Sequence, residues 1–316
     1  MQETQSSKSS DDFDDEIDLQ ELFYILFQGK WIIISVTAFI SIIGVIYSLS
    51  LPNIYESKAL LVPVNPSNSI AASLGSYGAI AGIAGVSLPN TDEGNASKAI
   101  EKISSLSFFE DNILTNIYLP DLMAFKSWNP KTNKAIFDEN IYDINTSTWR
   151  GDYSNSQHQI PSAQQSFLSF KSNHLSLIED KKSGFITLSI KHKSPFIAKQ
   201  WVELVVNEVN SFYRQKDKSK SEKAVSYLNQ QISLTSLSEI KEVLAQLLQE
   251  ETKKLTLIEA NLYYVFDYID PPAVMENKSE PSRVLICVLS ALLGAILSFL
   301  LVFIRHHISV KKLNSF

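Results

Sequence analysis

The sequence predicts an α+β membrane protein in which two transmembrane helices flank a mixed α/β base domain carrying a long, extended helical hairpin. Three observations lead there. Two long uncharged apolar runs lie near the chain ends. Strand-like alternation recurs at three places between them. A long stretch of helical periodicity separates the second of those places from the third.

The apolar runs are Trp31 to Leu51 (WIIISVTAFISIIGVIYSLSL) and Val284 to Ile304 (VLICVLSALLGAILSFLLVFI). A hydrocarbon core of roughly 30 Å takes about 20 helical residues, so each is long enough to span. The first begins too late, runs too long and follows an acidic stretch, which excludes a cleavable signal peptide and predicts an anchor. Lys30 precedes the first span, while Arg305, Lys311 and Lys312 follow the second. The intervening loop exceeds 200 residues, and long domains translocate with little regard to charge. The short flanks therefore put both termini in the cytoplasm and the middle outside. The expected order is a cytoplasmic segment 1–30, a span 31–51, an exported domain 52–283, a span 284–304 and a cytoplasmic tail 305–316.

Cys287, the one cysteine, falls inside the second span, so the exported part needs no disulfide. A net charge of -6 without a basic cluster excludes nucleic acid as partner. Before the first span, Asp18 and Glu21 are spaced as a capping box. They open either a short interfacial helix with Leu19, Leu22, Phe23 and Leu26 on one face, or an early start of the span itself.

Asn53 to Val64 alternates as a strand. Gly78 and Gly82 sit in a small-residue stretch that reads as a packing loop or helix instead of a third span. Ser97 to Leu106 reads as a helix, with Ser107 to Glu110 capping another. Residues 120–165 are aperiodic and read as loops and short helices. Gly184 to His192 is the cleanest strand.

Ser194-Pro195 then supplies an N-cap and a proline at the first helical position. Trp201, Leu204, Val205, Val209 and Phe212 form a stripe continued by Val225, Leu228 and Ile232, around a charged middle (RQKDKSKSEK) that should face solvent. Leu237, Ile240, Leu244 and Leu247 start the stripe of a second helix, resumed at Leu255, Ile258 and Leu262. The extended helices occupy about 195–262 and the base about 52–194 and 263–283. Tyr263 to Ile269 is a third strand, ended by Asp270-Pro271-Pro272, and should lie beside the first.

Small residues share one face in each span. Thr37, Ser41, Gly44 and Ser48 do so in the first, and Ser290, Gly294 and Ser298 recur every four residues in the second. Small residues let backbones approach in lipid, where apolar side chains alone give little drive to associate. A tight helix pair is expected, within or between subunits.

Little points to catalysis. His158, His174, His192, His306 and His307 form no HxH or HExxH pattern, and no GxxxxGK[ST] phosphate loop exists. No catalytic residue, metal ligand or cofactor site is assigned. Trp128, Trp149, Tyr142 and Tyr153 have the ring chemistry to stack on sugars, yet sealing a loop-rich region is the favoured role.

Together these segments resemble the Wzz-type chain-length determinants, or polysaccharide co-polymerases, of bacterial inner membranes. The likeness rests on DEIDLQELFYILFQGKW at Asp15 to Trp31, the strand at Tyr55 to Val64, IAGIAGVSL at Ile80 to Leu88, and LYYVFDYIDPPAVMENKSEPSR at Leu262 to Arg283. It extends from about residue 12 to 306. The proline-rich stretch before the second span keeps Pro271, Pro272 and Pro281, but Met275 and Lys278 stand where further prolines are expected. Gly294 keeps the family's glycine.

The resemblance implies a homo-oligomeric ring of periplasmic domains without a reaction of its own. Its partners would be a membrane polysaccharide polymerase, a polyprenyl-linked glycan and the lipid bilayer. Its role would be setting the chain length of a polysaccharide such as O-antigen of lipopolysaccharide. The alternative of another class is a structural adaptor in capsule or exopolysaccharide export.

Overall fold

A computed structural model describes residues 26–64, 94–150, 160–261 and 263–313. The Asp18–Glu21 cap, the Gly78–Gly82 segment, Leu262, Tyr153 and His158 lie outside them. The chain divides into two compact units, one made of residues up to Leu51 and from Pro281 onward, the other Pro52–Glu280.

The first unit holds helix α1, Lys30–Ser50, and a helix of 31 residues at Arg283–Leu313. Both are long and apolar enough to cross a membrane. The second helix does not stop at Ile304. It runs through Arg305, His306 and His307 into the expected tail.

The second unit is the mixed α/β domain. Strand β1 (Tyr55–Pro63) is followed by α2 (Gly94–Ile103), α3 (Leu106–Phe108) and α4 (Leu119–Met123). Ser105, not Ser107, caps α3, its hydroxyl accepting from the Phe108 N–H. The helical turn then widens into a π turn over Phe109–Ile113.

Two small hairpins replace the expected loops of 120–165: β2 (Phe125–Asn129) with β3 (Lys134–Phe137), and β4 (Tyr142–Asp143) with β5 (Thr148–Trp149). Their turns set Asn133 and Ser147 at φ of 49° and 54°. Asn tolerates that region because its short side chain bonds locally; here Asn133 Oδ1 accepts from Trp128 Nε1 at 2.9 Å.

Next come α5 (Ala163–Ser169), a π turn at Phe170–His174, β6 (Leu175–Glu179) and β7 (Ile186–His192). The hairpin helices are α6 (Pro195–Leu234, 40 residues) and α7 (Ser238–Ala260, 23 residues). Strand β8 (Phe266–Asp270) closes the domain, and the membrane helix at Arg283–Leu313 becomes α8.

Four strands form one antiparallel sheet in the order β6-β7-β1-β8, so the first and last strands of the domain are neighbours. β1 pairs Ala59 with Leu188 and Leu61 with Ile186, then Pro63 with Phe266 on its other edge. β7 is interior to the sheet and buried along most of its length, with Ile186, Leu188 and Ile190 on its core face.

Trp201, Val202, Val205, Val206 and Val209 of α6 pack with the sheet residues Ala59, Leu61, Leu188 and Phe266 in the main core. Two adjacent positions per turn are buried, so the stripe is wider than single spacing suggests. Asn210 locks this junction: its Oδ1 accepts from the N–H groups of Tyr264, Val265 and Phe266 at 3.1, 2.7 and 3.0 Å, and its Nδ2 donates to Phe266 O. One buried amide thus satisfies backbone groups that the chain's return from the hairpin would leave unpaired.

Candidate functional site

The small-residue faces of the two apolar helices meet within one chain. Gly44, Ser48, Gly294 and Ser298 are buried, with Ser41 and Ser290 half-buried beside them. A Cβ built on Gly44 would lie 2.5 Å from Ser290 Cβ and closer still to its hydroxyl, which no side chain accepts. One built on Gly294 would meet Thr37 Cα and Ile40 Cβ at 3.2 Å. Lower in the pair, Thr37 Oγ1 and Ser298 Oγ stand 3.5 Å apart. Ser41, Ser290 and Ser298 turn their hydroxyls back to the carbonyls of Thr37, Cys287 and Ala295, which satisfies these three inside their own helices.

The hairpin is joined differently. On α7 the inward positions are Leu244, Leu248, Glu251, Leu255 and Ile258, a spacing of four and three that follows one helix face. Of the expected stripe, Leu244 faces inward, whereas Leu237, Ile240 and Leu247 are exposed by 61%, 48% and 44%. The apolar side of α7 is broader than the strip that α6 covers. Leu237, Ile240, Val243 and Leu247 are therefore left exposed, as is Leu234 at the end of α6.

The charged middle of α6 is also not simply solvated. Tyr264 donates its hydroxyl to Asp217 at 2.7 Å, Lys218 pairs with Glu259 of α7, and Ser221 is fully buried. Burial, followed by the bond to Asp217, raises the Tyr264 pKa above the ordinary phenol value.

The pre-membrane prolines end β8, since proline offers no N–H to a ladder. Pro271 is exposed and Pro272 buried. The stretch behind them is stitched to the start of β1: Ser57 Oγ donates to Ala273 O, and Ile54 pairs with Glu280. Pro281 stands two positions before α8.

The aromatic rings of 120–150 face one another. Tyr142 is buried, shares a hydroxyl contact with Tyr118 at 2.9 Å and packs on Trp149. Trp128 packs edgewise on Tyr55 and Phe196. They close the small hairpins over the domain.

Polar side chains gather elsewhere. His192 is buried at the end of β7. Its Nδ1 accepts from the Ser194 N–H at 3.0 Å, and its Nε2 donates to Asp121 O at 3.1 Å. Burial holds its pKa down at about 3, so the ring is neutral. His174 lies 5.5 Å away with its ring nearly parallel, and its Nδ1 donates to Lys191 O at 2.6 Å. Burial pushes its pKa down as well.

No sequence motif announced this cluster. The one available signal was parity, since His192 continues the buried Ile186–Leu188–Ile190 face. Among the described residues, no group of three or more His, Cys, Asp or Glu could hold a metal ion.

Comparison with known proteins agrees with the resemblance read from the sequence. Residues 15–112 match the family model "Wzz: Chain length determinant protein". Among solved structures, a "full-length bacterial polysaccharide co-polymerase" is similar at 13% identity and a TM-score of 0.42, over 92% of this chain and 98% of that one. A fragment of WzzB, a polysaccharide co-polymerase from Salmonella Typhimurium, is similar at 14% identity and a TM-score of 0.28, over 72% of this chain and 100% of that one. No curated protein matches the chain.

Proposed function

We propose that this chain, whose residues 15–112 match the family model of the Wzz chain length determinants, regulates the length of a surface polysaccharide, the O-antigen of lipopolysaccharide. It does so as a scaffold that catalyses nothing. Identical subunits assemble into a ring in the inner membrane, with both termini cytoplasmic and residues 52–280 in the periplasm. A separate membrane polymerase docks on the spans and extends a polyprenyl-linked glycan beside the ring.

The observation that carries this reading is the family match together with two spans closed into one tight pair and flanking, in the sequence, one large domain. The exposed apolar residues of the hairpin support self-association, because exposed apolar surface favours a partner. Positive residues on the short flanks support the orientation.

Deletion of the gene tests the function. Electrophoresis of the surface polysaccharide should change from a modal band cluster to a random length distribution. Unchanged bands refute the proposal, and loss of all surface polymer indicates the export adaptor instead. Reporter fusions between residues 60 and 270 test the topology and must be exported.

A further inference from the structure

An open cleft of about 670 Å³ lies within the α/β domain, between α4, the π turn at Phe170–His174 and the ends of β1 and β7. A volume of several hundred cubic ångströms is the size of a small-ligand site. π turns of this kind recur where side chains are set for function, and here the turn delivers His174 to the wall.

The wall chemistry is mixed in a specific way. His192 contributes a neutral ring whose nitrogens are both engaged, and its bond to the Asp121 carbonyl holds the start of α4 in place. His174 carries its proton on Nδ1, since the Lys191 carbonyl can only accept. Its Nε2 is left as an acceptor. The Asp121 carboxylate is half-buried and meets no cation or hydrogen-bond donor among the described residues; burial raises its pKa to about 6.

On the donor side, Lys193 is half-buried and gives one hydrogen to Phe125 O at 2.6 Å, leaving two more. Lys191 is paired with Glu280. Leu122 and Phe125 add apolar surface.

Two lysines and two acidic residues line this space. An anion would meet Asp121 and Glu280, and a cation would meet both lysines. An uncharged polyhydroxylated ligand meets neither conflict, because each hydroxyl both donates and accepts. Its C–H faces suit the apolar wall.

We propose that this cleft binds an uncharged, hydroxyl-rich segment of polysaccharide, with Asp121 accepting from its hydroxyls and Lys193 donating to them. The assignment rests on the polysaccharide reading above, and it names a contact with the glycan itself in addition to the polymerase.

The test uses the full chain in lipid nanodiscs and the cells' own surface polysaccharide, released by mild acid and freed of lipid. Binding is read by saturation-transfer NMR and calorimetry. Wild type should bind, with little change between low and high salt. Asp121→Asn removes a charge-assisted acceptor and should weaken binding about tenfold. Ser172→Trp, on the exposed side of the π turn, should obstruct the cleft while leaving the core intact, which circular dichroism checks.

In cells, both variants should shift the length distribution. No binding by wild type, full binding by both variants, or binding abolished by salt would each overturn the proposal. If gene deletion randomises lengths while both variants behave as wild type, the cleft assignment alone fails. If deletion changes nothing, the function itself fails.

Discussion

The described residues contain two antiparallel helix pairs, and they are joined by opposite chemistry. Between α1 and α8 the contact is made of glycine, serine and threonine, with Gly44 so close to Ser290 that no side-chain carbon fits. Between α6 and α7 it is made of leucines and isoleucine, with Asp217, Lys218 and Glu259 engaged along its flank. In lipid, leucine gains nothing by leaving one apolar neighbour for another, so close backbone approach has to supply the attraction. In water the same leucines are driven together, and their fit tolerates an uncovered margin. The spans therefore depend on the absence of atoms, and the hairpin on their presence.

The largest effect should come from attacking the hairpin where it is closed. Ile258 is 2% exposed, against 48% for Ile240. Ile258→Asp buries an unpaired carboxyl and should cost about 3–5 kcal/mol of domain stability. Ile240→Asp should stay within about 0.5 kcal/mol, which reverses the expectation from sequence that this position holds the hairpin shut. Its effect should instead appear in light scattering as weaker self-association. Equal destabilisation by the two substitutions in urea titrations would refute the assigned faces.

A smaller effect is expected at the spans. Gly44→Ala forces a carbon into Ser290 and should cost about 1–3 kcal/mol, while Gly294→Ala needs only a few tenths of an ångström of yielding and should cost less. In a Cys287→Ala background, the pair Thr37→Cys and Ser298→Cys should cross-link α1 to α8. The cross-link should be weakened by Gly44→Ala more than by Gly294→Ala. The opposite order would mean the helices cross at another register.

Which of these features the sequence disclosed follows from their range along the chain. Spans, β7 and the Ser194-Pro195 start of α6 are written in contiguous residues, and composition or period suffices. The small hairpins at 125–149 are too short for alternation to register, and their turns depend on Asn133 and Ser147 in the left-handed region. The α7 stripe was displaced because Ile240, Val243, Leu244, Leu247 and Leu248 leave two apolar faces to choose between, and only the position of α6 chooses. The cleft was least legible. Asp121, His174 and the Lys191–Lys193 end of β7 come from three separate segments that meet through sheet pairing and the π turn, and none belongs to a spaced motif.

The mildest prediction separates the two pairs by titration. Tyr264 bonds to Asp217 at the foot of the hairpin, and its pKa lies above the ordinary value of 10.0. Once pH passes that ordinary value, the unfolded chain loses its phenolic proton before the folded one does. The native state then binds more protons, and stability must fall as pH climbs. Below that value the contribution is fully present. Tyr264→Phe should therefore cost about 1.5 kcal/mol at neutral pH, the low end for a bond to a charged partner because Asp217 is only half-buried. It should also flatten the alkaline decline in melting temperature. The contact between the spans offers only hydroxyls, glycines and apolar groups, so a cross-link already formed between positions 37 and 298 should be indifferent to the same pH range. A decline as steep in Tyr264→Phe as in wild type would show that this hydroxyl does not tie the hairpin to its base.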